Sequence, residues 1–147
     1  MSEVEKKLKE FAEYLKKINH YTTAGNLMYW DMTTGMPEAM AESRAETLSF
    51  FQTEVHSLNV SPKIAEFIEF FESHMGEFDY IHKRMTEQLK KKYENQKRYP
   101  EEFIKEFSLA ASRGEVAWEK AKNASDFDVF KPALEKIVDL TKKSIEY

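Results

Sequence analysis

Four prolines do more than any other feature to limit what this chain can fold into. Pro37, Pro62, Pro100 and Pro132 are the only ones among 147 residues. Each stands at or near the start of a stretch whose apolar residues recur every three or four positions. Proline lacks an N–H and clashes with the preceding turn, so a helix accepts it in its first turn and not in its interior. Four prolines in four such places fit an all-α chain. Only four glycines occur, and no window alternates cleanly enough to read as a strand.

Between the prolines the spacing predicts about six amphipathic helices in an antiparallel bundle-like array. Ser2 and Glu5 form an S-x-x-E capping box, and Val4, Leu8, Phe11, Leu15 and Ile18 make one stripe of a first helix running to about Trp30. Thr33-Thr34-Gly35 breaks it. A second helix carries Ala41, Ala45, Leu48, Phe51, Val55 and Leu58 on one side. Ser61-Pro62 opens a third, with Ile64, Phe67, Ile68, Phe71 and Met75 inward and Gly76 as a left-handed stop. The fourth presents Phe78, Ile81, Met85 and Leu89. The fifth, from Pro100, presents Phe103, Phe107, Ala110, Gly114, Trp118 and Ala121, with small residues that admit a close neighbour. Ser125 caps a short turn to Phe130, and Pro132 opens a sixth helix with Leu134, Ile137, Val138 and Ile145. One domain over 1–147 is expected. The last helix stops inside its apolar pattern, which reads as a truncation.

Charge and cysteine content narrow the function classes. The net charge is −4, with no general pull toward nucleic acid or anionic lipid, and Lys83–Arg98 is a local basic run that reads as a solvated helix face. Cysteine is absent, so disulfides and thiol nucleophiles are excluded. No apolar run is long enough to span a membrane, and the acidic start lacks a signal-peptide core; a cytoplasmic location is the expectation.

Catalytic motifs are missing. No H-E-x-x-H, nucleophile elbow, Walker loop or dinucleotide fingerprint occurs. Of the histidines at 20, 56, 74 and 82, only His82 has a carboxylate on its own helix face, Asp79. A carboxylate-bridged metal bundle needs two such motifs and two further carboxylates, so a surface pair is the simpler reading. Met28, Met32, Met36 and Met40 recur every four positions, but the Gly35-Met36-Pro37 break favours core filling over a ligand stripe.

Two stretches carry a resemblance. Tyr29-Trp30-Asp31-Met32-Thr33-Thr34-Gly35-Met36-Pro37, followed by Ala41-Glu42-Ser43-Arg44-Ala45, is similar to the W-D-x-x-T-x-M-P segment and A-x-x-R-A helix of carboxypeptidase Taq-type metallopeptidases. Pro100 to Phe103, Trp118 to Lys122, and Asp126-Phe127 with Phe130, Pro132 and Leu134 resemble that family's later pattern in the same order. Glu38-Ala39-Met40 departs from it, standing where the family often has a glycine-rich turn. The resemblance covers nearly all of this chain but roughly the first third of a family member, whose H-E-x-x-H helix lies beyond position 147.

What the resemblance implies is the front of a zinc (or cobalt) metallocarboxypeptidase that releases single residues from peptide C-termini. No catalytic or metal residue is carried over, and the chain is expected to be inactive and to bind no metal by itself. Its helices are expected to form a groove wall or lid. Trp30, Asp31, Met36 and Arg44 are the candidates for lining or supporting that groove: Asp31 either caps the loop or pairs with Arg44, and Trp30 is expected to be largely buried. Expected partners are the remainder of the catalytic domain, peptide substrates and a second copy in a homodimer, without nucleic acid or membrane. The alternative is a stand-alone helical protein-interaction module without catalysis.

Overall fold

A computed structural model describes residues 2–147, leaving Met1 outside. It has six α-helices: α1 (Glu3–Thr34), α2 (Ala41–Asn59), α3 (Pro62–Ser73), α4 (Tyr80–Lys97), α5 (Glu101–Ala124) and α6 (Lys131–Ser144). Single 3₁₀ turns at Glu38–Met40, Met75–Glu77 and Phe127–Val129 join some of them, and no strand occurs among the described residues. The all-α expectation holds.

Local chemistry sets most of the helix starts. Ser2 and Glu5 exchange the two hydrogen bonds of a capping box on α1. Asp79 caps α4, accepting from the His82 N–H, and Asp126 caps the turn before α6, accepting from Asp128. Three helix ends differ from expectation. Helix α1 continues past Trp30 to Thr34, and the Thr33 and Thr34 hydroxyls of its last turn donate to the Trp30 carbonyl. Gly76 is not a left-handed stop: α3 already ends at Ser73 and Gly76 lies in a 3₁₀ turn with negative φ. The left-handed residue is Ser125, at φ 51°, closing α5 rather than capping the next turn.

Packing falls into two regions joined by the long α1. Around its N-terminal half, Phe11 meets α3 and α4 in an aromatic core with Ile64, Phe67, Ile68, Phe71 and Phe78. Phe11 lies edge-on to Phe67 and Phe71, with ring centroids 5.1 and 5.4 Å away. Farther along, α2 lies between α1 and α5, burying Ala45 and Leu48, and α6 covers α5. At Gly114 the small side is used: a Cβ there would stand 2.6 Å from Ile137 Cδ1 of α6. The two regions are pinned where they meet. The Tyr14 hydroxyl donates to the Leu58 carbonyl (3.1 Å) and lies 2.8 Å from Ser61 Oγ. Buried His56 shares a 3.0 Å hydrogen bond between Nε2 and the Tyr99 carbonyl, and Ser57 donates to Glu101 at 2.9 Å.

Several residues placed inside by periodicity lie outside. Trp30 is 66% exposed, against the expectation of burial, since no element packs over that side of α1. Ile81, Val138 and Ile145 are also exposed; Leu140 supplies the buried contact of α6. Trp118, placed on the inward face of the fifth helix, is half exposed, and Phe127 in the turn before α6 is 60% exposed.

Candidate functional site

The end of α1, the loop after it and the start of α2 form a polar re-entrant part of the surface. Asp31 lies in the last turn of α1, its carbonyl accepting from the Gly35 and Met36 N–H groups at 3.2 and 3.1 Å. Its side chain does not cap that loop: Oδ2 instead accepts from Arg44 Nε of α2 at 2.7 Å. Of the two roles weighed for Asp31, pairing with Arg44 is the one present. The pair is half-buried and sets the angle at which the chain turns from α1 into α2.

Beside it lies a cleft of about 240 Å³ between the loop and α5, lined by Met32, Met36, Glu38, Val116, Lys120 and Asn123. Three polar contacts hold α5 across from the loop. Lys120 Nζ pairs with Glu38 at 2.6 Å at the cleft itself. Arg113 pairs with Glu42, and the Tyr29 hydroxyl donates to Glu115 at 3.1 Å. The hydrogen bond from Lys120 holds the Glu38 carboxyl below its ordinary value, and that from Arg113 does the same for Glu42. The bond to Glu115 pushes the Tyr29 phenol up.

Of the four candidates, Asp31 and Arg44 come together, Met36 lines the cleft, and Trp30 faces away on the open side of α1. Glu38, Arg113 and Lys120 are given no site role by the sequence. Which lysine on α5 meets which glutamate on the loop depends on helix packing, and no local pattern marks it. The cleft has the size to hold a single side chain, and of its charged residues Lys120 and Glu38 pair with each other.

His82 and His74 have local partners. Asp79 Oδ1 accepts from both the His82 N–H (2.8 Å) and the imidazole Nδ1 (2.7 Å), an N-terminal capping arrangement that holds the Asp79 carboxyl low. His74 stacks on Phe70, and its Nδ1 lies 2.8 Å from the Phe70 carbonyl. Among the described residues no three His, Asp or Glu side chains come together to hold a metal ion. No helix among them is long and apolar enough to cross a membrane.

Comparison with known proteins gives this geometry a context. The profile of the carboxypeptidase Taq (M32) metallopeptidases matches residues 10–147. Carboxypeptidase 1 of Bacillus subtilis (strain 168) is 37% identical over 139 residues, which make up 95% of this chain and 28% of that protein. Thermostable carboxypeptidase 1 of Pyrococcus furiosus is 29% identical, over 84% of this chain and 25% of its own length. The solved structure of BsuCP superposes on 97% of this chain with a TM-score of 0.92 at 37% identity, using 29% of its own chain. The chain thus spans less than a third of the relatives it matches.

Proposed function

This chain belongs to the carboxypeptidase Taq (M32) metallopeptidase family, and from that premise we propose that it is the N-terminal part of a metal-dependent carboxypeptidase, building a wall or lid of the substrate groove. The observation that carries the reading is the match itself: nearly the whole chain aligns with under a third of enzymes named as carboxypeptidases. The substrate class is peptides, cut one residue at a time from the C-terminus. The partner is the remainder of the catalytic domain, with a homodimer as the assembled form and the cytoplasm as its place.

A metal, zinc or cobalt, would supply a Lewis acid and an activated water in the whole enzyme. The described residues do not fit it, since they bring no ligand set together. No step of the chemistry is assigned to this chain, and by itself it is expected to be inactive. What its residues do is shape. Closing one end of a groove lets only a chain terminus reach the reacting centre, which favours exopeptidase over endopeptidase action. In that role Arg44 holds Asp31 and the loop in place, and Met36 presents an apolar side to the cleft.

The test uses a chimera in which this chain replaces the matching segment of Bacillus carboxypeptidase 1. In the chimera, Met36→Ala and Arg44→Ala are expected to raise KM for peptides with kcat changed less, as befits residues that hold substrate or its wall. Unchanged KM in both folded variants would remove the groove-wall role.

A further inference from the structure

The charges of α1 are segregated along its length. From Glu3 to Lys17 acids and lysines predominate, whereas from Ile18 to Trp30 no residue carries a formal charge with His20 neutral. In a chain that is 33% charged, the solvent side of a surface helix is where charges belong. From Ile18 to Trp30 that side is open and neutral, and Lys16 beside Leu15 marks its N-terminal edge. Ala12, Leu15, Asn19, Thr23, Leu27 and Trp30 are all exposed and follow one another every three or four positions, turned away from the side that buries Ile18, Gly25 and Met32. Leu15, Leu27 and Trp30 are 40%, 61% and 66% exposed. Tyr80 and Ile81 on α4 are more exposed still, at 76% and 72%, but they stand among Asp79, Lys83 and Arg84 as single apolar residues on a charged helix.

Resting on the reading that this chain is the front of a larger carboxypeptidase domain, we propose that the neutral face of α1, with Leu15, Leu27 and Trp30 as its anchors, is where the remainder of that domain docks. The partner surface is apolar and uncharged, since a charge set against this face would lose its hydration with nothing to pair it. Two facts name the occupant. The relatives hold more than two thirds of their length outside the matched segment. Within the longer BsuCP chain the same helices keep nearly the same arrangement, with more than two thirds of that chain lying outside them. The proposal also explains why Trp30, expected inside from its sequence, lies outside in the described residues.

Hydroxyl-radical footprinting of the isolated chain and of the Bacillus chimera tests this residue by residue. The expected result is strong labelling of Leu15, Leu27 and Trp30 in the isolated chain and protection of all three in the chimera, with Tyr80 and Ile81 labelled in both. Leu27→Glu is expected to leave the melting temperature of the isolated chain unchanged and to lower that of the chimera. Equal labelling of the α1 face in the two folded proteins overturns the proposal, as does a chimera that does not fold. Light scattering adds a third contrary result: a dimer of the isolated chain that Leu27→Glu dissolves gives the face to a second copy. Peptidase activity keeps the two ideas apart. An active chimera with the face still labelled removes the docking surface alone, whereas an inactive chimera with the face protected upholds docking and counts against the peptidase reading.

Discussion

Asp31 and Arg44 lie 13 residues apart and meet at 2.7 Å, each side chain about a third exposed. A partly solvated pair of this kind contributes about 0.5–1 kcal/mol. Arg44→Met is therefore expected to lower the melting temperature by roughly 2–4 °C, read by calorimetry; no shift would mean that the pair does not hold the loop. Phe67→Ala is the contrasting case: it empties a fully buried aromatic site and is expected to cost about 3–5 kcal/mol in urea unfolding. Trp30→Ala in the isolated chain is expected to stay within about 0.5 kcal/mol. The sequence made Asp31 and Arg44 candidates for pairing because a helix end and the next helix start must lie close together. It misjudged Trp30 because an aromatic ring looks the same whether its cover is intramolecular or supplied by a partner.

At the scale of elements, the proline and cap positions located most helix starts, since those depend on neighbouring residues alone. The ends were less legible. Gly76 has the right identity for a left-handed stop, but α3 ends earlier, and Ser125 adopts that conformation instead. Neighbour order was not legible at all, except that small residues on α5 marked a close approach, which Gly114 and Ile137 make. Gly114→Val is expected to push α6 off α5 and destabilise by about 1–3 kcal/mol. Gly114→Ala is expected to be near neutral, because only the tip of Ile137 must move and alanine favours the helix.

The α1–α3 contact has a pH signature. Lys7 and Lys63 bridge Glu10 and Glu66, and hydrogen bonds from Lys63 and Lys7 hold the two carboxyls below their ordinary 4.5. The same bonds raise Lys7 and Lys63 above their ordinary 10.5. Depressed carboxyls stabilise fully above their unfolded value and lose that contribution as pH falls through the folded one. Raised lysines stabilise fully below theirs and lose it as pH rises through the folded value. The melting temperature should thus hold from about pH 5 to about pH 10 and fall on either side. Glu66→Gln should flatten the acid limb, and an acid limb identical to that of the parent chain would show that the network adds nothing.

For the molecule as a whole, two packing regions share α1, and they differ in how far their own residues cover them. The aromatic region beside α3 and α4 is closed by its own rings, while the outer side of α1 and the α5–α6 corner are not. The chain aligns with under a third of the length of its relatives, and among the described residues no three metal-ligating side chains meet, which is the basis of the proposal that it is one part of a carboxypeptidase. The release of single C-terminal residues from a peptide, followed by mass spectrometry with zinc or cobalt supplied, tests that account most directly. The isolated chain is expected to release none, and the chimera with Bacillus carboxypeptidase 1 to release them one at a time and to stop when the metal is chelated. Hydrolysis by the isolated chain, or a folded chimera without activity, would contradict it.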